Sequence, residues 1–255
     1  MSQISAVIIT LNEEKNILRC LNSVEEVADE IVVVDSGSAD DTVNIVRDFG
    51  AQLFETDWKG YGSAKNFGNL NAKNDFILSI DADEELSSEL KKSILKIKSD
   101  PKDSYSFNRL TNYCGKWIYH CGWYPDTKIR IFNRLEAKWS EDIVHESLVF
   151  NSPVNAKQLE GNLLHYPFDS ISEHIQRVDF YSEKAALELV QENVKLVFTN
   201  LLTKPIFKFI QSYFIKLGFL DGFYGFCISS ISAFDVLVRY AKVYQLKLDR
   251  KKQSK

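Results

Sequence analysis

Residues 76–86, FILSIDADEEL, place a cluster of acids directly after a run of aliphatic side chains. Phe76–Ile80 has the length and the unbroken apolar composition of a strand covered on both faces, which is typical of a parallel sheet with helices on each side. Four acids follow it within five positions: Asp81, Asp83, Glu84 and Glu85. Acids this close together repel one another and are tolerated best around a divalent cation. We predict a cation site at this strand end that involves Asp81 and Asp83, whereas Glu84 and Glu85 also fit an exposed loop that enters a helix.

The chain before this segment alternates between strands and helices. Ala6–Ile9 and Ile31–Val34 are further aliphatic runs of strand length, and apolar residues recur at helical spacing after each of them. We predict Asn12 as the N-cap of the first helix and Gly50 as the left-handed C-cap of the second. The resulting βαβαβ order predicts an α/β fold whose ligand lies beyond the carboxyl ends of the strands.

A polar loop, residues 35–42, follows the second of these strands. Asp35 can accept hydrogen bonds from a base or a ribose, and Gly37 lets the backbone approach a ligand closely. A turn followed by a capped helix explains part of the same pattern. The sequence has no GxGxxG after the first strand and no GxxxxGK[ST], which excludes a dinucleotide cradle and a P-loop.

The composition limits the class of protein. The chain has 255 residues, of which 45% are hydrophobic and 26% charged, so it can bury a large core and is not globally disordered. A net charge of -4 argues against nucleic acid as a partner, since phosphate binding needs a basic face. The four cysteines lack metal-ligand spacing, and residues 1–14 lack the basic region of a secretory signal. We therefore expect reduced thiols and a cytoplasmic protein.

Residues 193–255 differ in kind from the rest of the chain. They are rich in Phe, Tyr and Ile, but lysines interrupt the apolar runs, and Asp221 and Asp235 make residues 217–238 a poor candidate for a spanning helix. Amphipathic helices lying in a membrane interface fit this pattern better, and the basic tail favours an anionic leaflet. A helical hairpin that packs on the main domain or forms a dimer is the alternative.

The middle of the chain carries several polar and aromatic candidates. Residues 101–165 are expected to form short strands, and residues 171–192 one helix. Four aromatic residues form either a stacking platform for a ligand or part of the core: Trp117, Trp123, Tyr124 and Trp139. Three basic residues alternate along or beside one strand, as either a phosphate-binding face or a solvated one: Lys128, Arg130 and Arg134. His145 is a candidate neighbour of a metal or phosphate, and the other histidines are interpreted as structural: His120, His165 and His174.

Three segments together resemble the nucleotide-binding half of the family 2 glycosyltransferases in their order and spacing. They are residues 6–24, AVIITLNEEKNILRCLNSV; residues 30–42, EIVVVDSGSADDT; and residues 62–86, GSAKNFGNLNAKNDFILSIDADEEL. Residues 132–148, FNRLEAKWSEDIVHESL, and the aromatic basic C-terminus are similar to bacterial enzymes that add glucose to the inner-core heptose of lipopolysaccharide. The resemblance implies a GT-A-like, Rossmann-type fold with a mixed, mainly parallel sheet flanked by helices, and an amphipathic helical extension at the C-terminus.

The resemblance also implies a role for each matching residue. The donor-binding residues that it implies are Thr10, Asn12, Glu13, Asp35, Lys65 and Asp81. The first three would hold the uridine, Asp35 would face the uracil, Lys65 would lie near the nucleotide and Asp81 would approach the ribose. Asp83 would bind the Mg²⁺ or Mn²⁺ ion that bridges the diphosphate, and this cation would stabilise the nucleoside diphosphate as it leaves.

An inverting transfer needs a carboxylate that takes a proton from the acceptor hydroxyl. The resemblance places this base within residues 140–147, SEDIVHES. Asp142 is the first choice and Glu146 the second, with Glu141 beside Asp142.

The resemblance implies three functional parts of the chain. Residues 1–100 would be the nucleotide-sugar-binding half, residues 101–192 the acceptor-binding and catalytic-base half, and residues 193–255 a membrane-associating extension. The implied reaction moves a hexose, with glucose from UDP-glucose preferred, to a lipid-linked oligosaccharide such as the lipopolysaccharide inner core, at the cytoplasmic surface of the bacterial inner membrane. A nucleotidyltransferase and a non-catalytic membrane protein that binds nucleotide sugars remain alternatives. The acidic segment TLNEEKN, residues 10–16, argues against the nucleotidyltransferase, since those enzymes usually hold a triphosphate on a basic glycine-rich loop.

Overall fold

The computed structural model describes residues 3–98, 101–140 and 146–253. The chain divides into two compact units. Unit 1 consists of Met1–Leu110 and Asp126–Tyr166, and unit 2 of Thr111–Pro125 and Pro167–Lys255. These bounds differ from those of the three functional parts expected from the sequence, and that functional division stays a prediction.

The described residues contain eleven strands and seven α-helices. The strands are β1 (Ile4–Thr10), β2 (Glu30–Asp35), β3 (Gln52–Glu55), β4 (Phe76–Asp81), β5 (Glu84–Leu86), β6 (Tyr105–Tyr113), β7 (Lys116–Ile118), β8 (Asp126–Asn133), β9 (Ala137–Trp139), β10 (Leu148–Phe150) and β11 (Lys157–Phe168). The helices are α1 (Ile17–Val24), α2 (Thr42–Phe49), α3 (Tyr61–Asn71), α4 (Ser88–Lys98), α5 (Ile171–Gln191), α6 (Val197–Ile210) and α7 (Gly222–Gln253). A π-helical turn, Gln211–Ile215, and a 3₁₀ turn, Gly218–Asp221, join α6 to α7.

The main sheet is mixed, with the strand order β3-β2-β1-β4-β8-β6-β11-β5. β3, β2, β1 and β4 are parallel to one another, whereas β8 pairs antiparallel with both β4 and β6. β7 pairs with the end of β6 in unit 2, and β9 and β10 form a separate two-stranded sheet. This architecture confirms the expected α/β, GT-A-like fold with helices on the sheet and a helical C-terminus.

The strand register brings the polar loops of unit 1 to one edge of the sheet. β1 lies between β2 and β4, and it aligns Thr10 with Asp35 on one side and Ile9 with Asp81 on the other. Because all three strands are parallel, their carboxyl ends meet here, as expected for the ligand side of such a sheet. The predicted strands at Ala6–Ile9, Ile31–Val34 and Phe76–Ile80 are therefore confirmed.

The helix boundaries confirm one predicted cap and correct the other. α2 ends at Gly50, whose φ of +85° is left-handed as predicted. α1 begins one turn later than expected, after Asn16, and Asn12 instead has a φ of +56° in the loop that follows β1. The prediction of Asn12 as a helix N-cap is thus wrong, because its side chain accepts a hydrogen bond from Ala39 N rather than from its own helix.

The sequence-based layout also lacked β3 and α3, which lie between α2 and β4. α3 packs closely on the sheet because Gly68 has no side chain: a Cβ at this position would lie 2.4 Å from Val7 Cγ1. The helix therefore approaches β1 and β2 from the face opposite α1 and α2, where a second cluster of buried side chains forms the core.

Unit 2 consists mainly of helices. α5 spans Ile171–Gln191, in agreement with the predicted helix at residues 171–192, and it begins at Ser170, whose side chain accepts a hydrogen bond from Glu173 N. Ala186 and Val190 of α5 form a buried cluster with Val243 of α7. Within the described part of the chain, one helical stretch, Gly218–Lys252, is long and apolar enough by composition to cross a membrane, and most of it is not buried in the protein.

Candidate functional site

The loop after β2 is held rigid by Asp35. This side chain is 1% exposed, and its carboxylate accepts hydrogen bonds from Gly37 N at 2.8 Å and from both the backbone N and the hydroxyl of Ser38, at 2.8 and 2.5 Å. Gly37 adopts a φ of +93°, which favours glycine. A carboxylate offers about four lone-pair sites, so Asp35 retains acceptor capacity for a ligand.

The loop after β1 is joined to the loop after β2 by reciprocal hydrogen bonds. Asn12 N donates to Ser38 Oγ at 2.8 Å, and Asn12 Oδ1 accepts from Ala39 N at 2.8 Å. Glu13 N donates to Thr42 Oγ1 at 2.8 Å. The two loops therefore form one preorganised surface. Thr10 Oγ1 is buried at its edge with no hydrogen-bond partner among the described residues, which leaves it available to a ligand.

Asp81, at the end of β4, lies between two buried cations. Lys65 Nζ of α3 is 3.1 Å from Asp81 Oδ1, and Arg130 Nη2 of β8 is 3.1 Å from Asp81 Oδ2. Burial by itself would raise the pKa of Asp81, but the Lys65 ammonium and the Arg130 guanidinium outweigh it and hold this pKa far below the usual range. Asp81 is thus ionised, and two cations of the protein balance its charge.

Glu84 fixes the loop that contains both aspartates. Its side chain is fully buried, Oε2 accepts a hydrogen bond from Asp81 N at 2.9 Å, and Oε1 accepts one from Arg130 Nη2 at 2.7 Å. Arg109 Nη1 lies 3.4 Å from the same Oε1. Burial raises the pKa of Glu84, and the Arg130 guanidinium opposes that rise. The interpretation of Glu84 as an exposed loop acid is therefore wrong, since it is an internal partner of Arg130.

Asp83 faces a histidine of β11. Asp83 Oδ2 and His165 Nε2 lie 3.3 Å apart, and both side chains are mostly buried. β11 brings them together, since His165 pairs with Glu84 of β5 and Tyr166 N donates to Asp83 O at 2.9 Å. Among the described residues no group of three or more His, Cys, Asp or Glu side chains has the geometry of a complete metal site. A carboxylate and an imidazole can nevertheless hold a divalent cation whose other ligands are phosphate oxygens and water.

Lys65 links this cluster to the segment that carries the predicted base. Its side chain is 2% exposed, its Nζ donates to Glu146 Oε1 at 3.0 Å, and it lies over the Trp139 ring at 4.5 Å from the centroid. Glu141 and Asp142, like His145, lie outside the described residues. Of the three base candidates the structure therefore describes Glu146 alone, which it pairs with Lys65 within reach of Asp81.

Two close approaches hold Trp139 and Ser140, just before residues 141–145, against α3. Asn66 donates from its amide to Trp139 O at 2.9 Å and accepts from Trp139 N at 2.9 Å, which fixes the end of β9 on the helix. A Cβ at Gly62 would lie 1.9 Å from Ser140 O, so only glycine lets the chain pass here. The strand that precedes residues 141–145 is thus positioned by side chains and backbone of α3.

Several interpretations from the sequence are corrected by this arrangement. Arg130 does not belong to a surface face for phosphates, because it is buried and paired with Asp81 and Glu84. Trp139 lies in the core against Phe132, and Trp123 packs on Tyr113 and Phe168 in unit 2, as the core alternative predicts.

Two contacts of the cluster were missed by the sequence-based analysis. The contact between His165 and Asp83 was missed because the two residues are distant in sequence. The pairing of Arg130 with Asp81 and Glu84 was missed because the alternation of Lys128 and Arg130 along the strand does not show which of the two cations is buried.

The comparisons with known proteins agree with this architecture. The family model described as glycosyl transferase family 2 matches residues 5–156. An uncharacterized glycosyltransferase of Rickettsia typhi is 37% identical over 97% of this chain and 89% of its own length. The lipopolysaccharide core biosynthesis glycosyltransferase LpsC of Rhizobium meliloti is 29% identical over 95% of this chain and 92% of its own length.

A crystal structure of glucosyl-3-phosphoglycerate synthase from Mycobacterium tuberculosis, in complex with Mn²⁺, uridine diphosphate and glucosyl-3-phosphoglycerate, is similar to part of the chain. That match has a TM-score of 0.36 and 23% identity, and it covers 44% of each chain. The family model spans more than half of the chain, and the curated relatives align over nearly all of it. The chain therefore belongs to glycosyl transferase family 2, and it is a glycosyltransferase.

Proposed function

We propose that the protein is a metal-dependent, inverting hexosyltransferase that uses a UDP-sugar, with UDP-glucose as the first choice. Its acceptor would be a lipid-linked oligosaccharide of the lipopolysaccharide inner core, at the cytoplasmic face of the inner membrane. The observation that carries the proposal is the meeting of three acids, Asp35, Asp81 and Asp83, at the carboxyl ends of neighbouring parallel strands. Each has a different environment, and each environment suits a different part of a nucleoside diphosphate sugar.

The preorganised surface formed by the loops after β1 and β2 would hold the nucleoside. Asp35 retains acceptor capacity for the N–H group of a uracil, and Thr10 Oγ1 is buried beside it with no hydrogen-bond partner in the described part of the chain. Asn12 and Glu13 hold the two loops together, so that donor binding requires little reorganisation. Asp81, ionised and fixed by Lys65 and Arg130, would accept hydrogen bonds from the ribose hydroxyls.

Asp83 and His165 would hold the divalent cation. A mixed oxygen and nitrogen donor pair suits Mn²⁺ somewhat better than Mg²⁺, since imidazole is a poor ligand for the harder ion. A bound cation would stabilise the negative charge that develops on the departing diphosphate. Lys65 adds a fixed ammonium close to Asp81 and can orient a phosphate through charge.

The catalytic base would come from residues 140–147. Glu146 is engaged by Lys65, so a proton could move to it only by disturbing that ion pair. Asp142 remains the first choice, with Glu141 beside it, and Glu146 the second. Asn66 anchors Trp139, which lies directly before this segment, on α3.

The test is a panel of UDP-sugars in thermal-shift measurements with and without Mn²⁺. A ligand at 100 times its dissociation constant stabilises the native state by about 2.7 kcal/mol, so the correct donor should raise Tm by roughly 5–10 °C when Mn²⁺ is present. Asp83→Asn should remove the Mn²⁺-dependent part of this shift. Asp75→Asn, a change of the same type at an exposed position, is the matched control and should leave it intact.

Product analysis separates the alternatives. A hexosyltransferase releases UDP and labels the acceptor with the sugar. Pyrophosphate release from a nucleoside triphosphate would indicate the nucleotidyltransferase instead, and donor binding without turnover on any lipid-linked acceptor would indicate the non-catalytic protein. Either result would refute the proposed function.

A further inference from the structure

Residues 196–226 of unit 2 expose an unusual amount of apolar surface. α6 has no buried residue along its fourteen positions, although its sequence, VFTNLLTKPIFKFI, is largely hydrophobic. Thirteen large apolar side chains of this segment are between 43% and 73% exposed. They are Leu196, Phe198, Leu202, Ile206, Phe207, Ile210, Phe214, Ile215, Leu217, Phe219, Leu220, Phe223 and Phe226. We refer to them as the apolar surface, and their density exceeds what a soluble monomer usually exposes.

The buried polar side chain of the π-helical turn, Ser212, is satisfied inside the unit. Ser212 Oγ donates to Cys121 O at 3.3 Å and accepts from Ser229 Oγ at 3.0 Å, and all three residues are buried. Lys216 N donates to Gln211 O, which closes the π-helical turn. Satisfied polar groups inside and apolar groups outside are the reverse of the arrangement that water favours. The segment is therefore built to face an apolar environment.

The charges around the apolar surface have one sign. Residues 195–226 contain four cations, Lys195, Lys204, Lys208 and Lys216, and one acid, Asp221. Asp221 is buried, and its carboxylate accepts hydrogen bonds from Tyr119 N at 3.4 Å and His120 N at 2.9 Å, while His120 Nδ1 lies 3.0 Å from it. The acid is thus satisfied inside the unit, and the exposed charges of the segment are all positive.

A groove continues the apolar surface towards the basic end of α7. Its volume is about 400 Å³, and Leu196, Phe198, Tyr244 and Leu248 contribute apolar walls. Lys247 and Lys251 lie at the same groove. The apolar walls fit the acyl chain of an anionic lipid, and the adjacent ammonium groups fit its phosphate headgroup.

α7 itself is poorly suited to cross a bilayer. Its Lys242 Nζ donates to the backbone O, and at 2.8 Å to the carboxylate, of Asp179, and to Ser182 Oγ of α5. A spanning α7 would carry the charged α5 into the hydrocarbon or lose these contacts, and each charged residue at the bilayer centre costs about 2.5–3.5 kcal/mol even on the most permissive scale. The apolar residues are also concentrated in α6 and the turns after it, which is typical of a helix that lies in the interface plane.

We propose that the apolar surface and its lysines dock into the interface of an anionic phospholipid bilayer, with α6 and the start of α7 as far as Phe226 in the membrane plane and the rest of α7 outside the hydrocarbon. This proposal deepens the proposed function and rests on it for the lipid-linked acceptor. It assigns membrane contact to residues 196–226 rather than to a spanning helix.

The test is flotation of the full-length protein with vesicles of phosphatidylcholine alone or mixed with phosphatidylglycerol. The protein should float with the anionic vesicles. Lys208→Gln combined with Lys216→Gln should weaken that binding on the order of 30-fold, since each cation near an anionic surface contributes about 1 kcal/mol. Phe207→Ser combined with Phe214→Ser should weaken binding to both kinds of vesicle by more than about tenfold, because buried aromatic area is lost.

The control is Leu70→Ser, which removes a side chain that is 80% exposed in unit 1 and should change nothing. The proposal would be overturned if Leu70→Ser lost as much vesicle binding as the lysine and phenylalanine double variants. It would also be overturned if the wild type did not float. A concentration-dependent dimer without vesicle binding would overturn it too, since a second copy would then cover the surface. Protection of the C-terminus from protease added outside the vesicles would show that α7 crosses, which also overturns it.

Thermal stabilisation by UDP with Mn²⁺, measured in each variant, separates this proposal from the proposed function. Unchanged stabilisation together with lost flotation supports the docking surface and shows that the variants remain folded. Flotation without any donor-dependent stabilisation would refute the proposed function while the membrane surface stands.

Discussion

Replacing Arg130 with methionine should destabilise unit 1 by about 3–5 kcal/mol, the cost typical of breaking a buried ion pair by removing one partner. Arg130 is 4% exposed, and its Nη2 lies 2.7 Å from Glu84 Oε1 and 3.1 Å from Asp81 Oδ2. Methionine fills much of the volume but supplies no charge. Glu84 would keep Arg109, at 3.4 Å, as its nearest cation among the described residues, and Asp81 would keep Lys65.

The matched control is Lys128→Met, on the same strand. Lys128 is 44% exposed and pairs with Asp126 at 3.0 Å, and an ion pair of this kind contributes at most about 1 kcal/mol. Hydrogen exchange of the β4 and β8 amides measures the free energy of opening in unit 1 for each variant. If Arg130→Met lowered the free energy of opening by less than about 1 kcal/mol, as the control does, this would refute the idea that the ion pairs of Arg130 hold the Asp81–Glu84 loop.

The pH dependence of the Arg130→Met defect has a definite sign. Burial raises the pKa of Glu84 and the Arg130 guanidinium opposes that rise, so removing Arg130 should raise this pKa further. A carboxyl whose folded pKa lies above its unfolded value favours folding at low pH, and this contribution is lost as the pH rises through the folded value. The difference in stability between wild type and Arg130→Met should therefore narrow on acidification, and a constant difference would show that Glu84 does not take up the proton.

Two further predictions concern other parts of the chain. Burial, with a smaller contribution from the nearby Arg177, lowers the pKa of His174 to about 4, so unit 2 should lose on the order of 3 kcal/mol as the pH falls from 6.5 to 4, and His174→Phe should flatten this loss. Urea unfolding at several pH values, followed by hydrogen exchange of the α5 amides, tests this prediction. It would be contradicted if the stability of His174→Phe fell with pH as steeply as that of the wild type. Gly62→Ala should cost about 1–3 kcal/mol in unit 1 through the contact with Ser140 O, whereas Ser63→Ala on the same turn should be nearly neutral in the same exchange measurement.

The strands that position the site could be predicted because each is a continuous aliphatic run. β1, β2 and β4 are buried on both faces, and this burial produces a sequence signal that does not depend on the rest of the fold. The short β3, QLFE, is only partly buried, so it lacks this signal. Burial on both faces therefore explains why β1, β2 and β4 were found and β3 was not.

α3 shows why some helices carry no local signal. Its sequence, YGSAKNFGNLN, contains two glycines and three asparagines, all poor helix formers. Gly68 is required by the approach to Val7, and Gly62 by the approach to Ser140 O. The helix is thus stabilised by tertiary packing that overrides propensity, and the position of Lys65 beside Asp81 follows from that packing rather than from spacing in the sequence.

The acids of both units show a common limit of inference from sequence. Asp221 argues against a membrane-spanning helix when acids are counted along the chain, yet its charge is satisfied internally by the backbone and side chain of His120. Glu84 likewise suggests a solvated loop, yet it is buried against Arg130. An acid influences a ligand or a lipid only in proportion to the charge that its own protein leaves unbalanced. Asp81 is balanced by two buried cations, which is the reason for our proposal that Asp83, rather than both aspartates of the motif, would bind the cation.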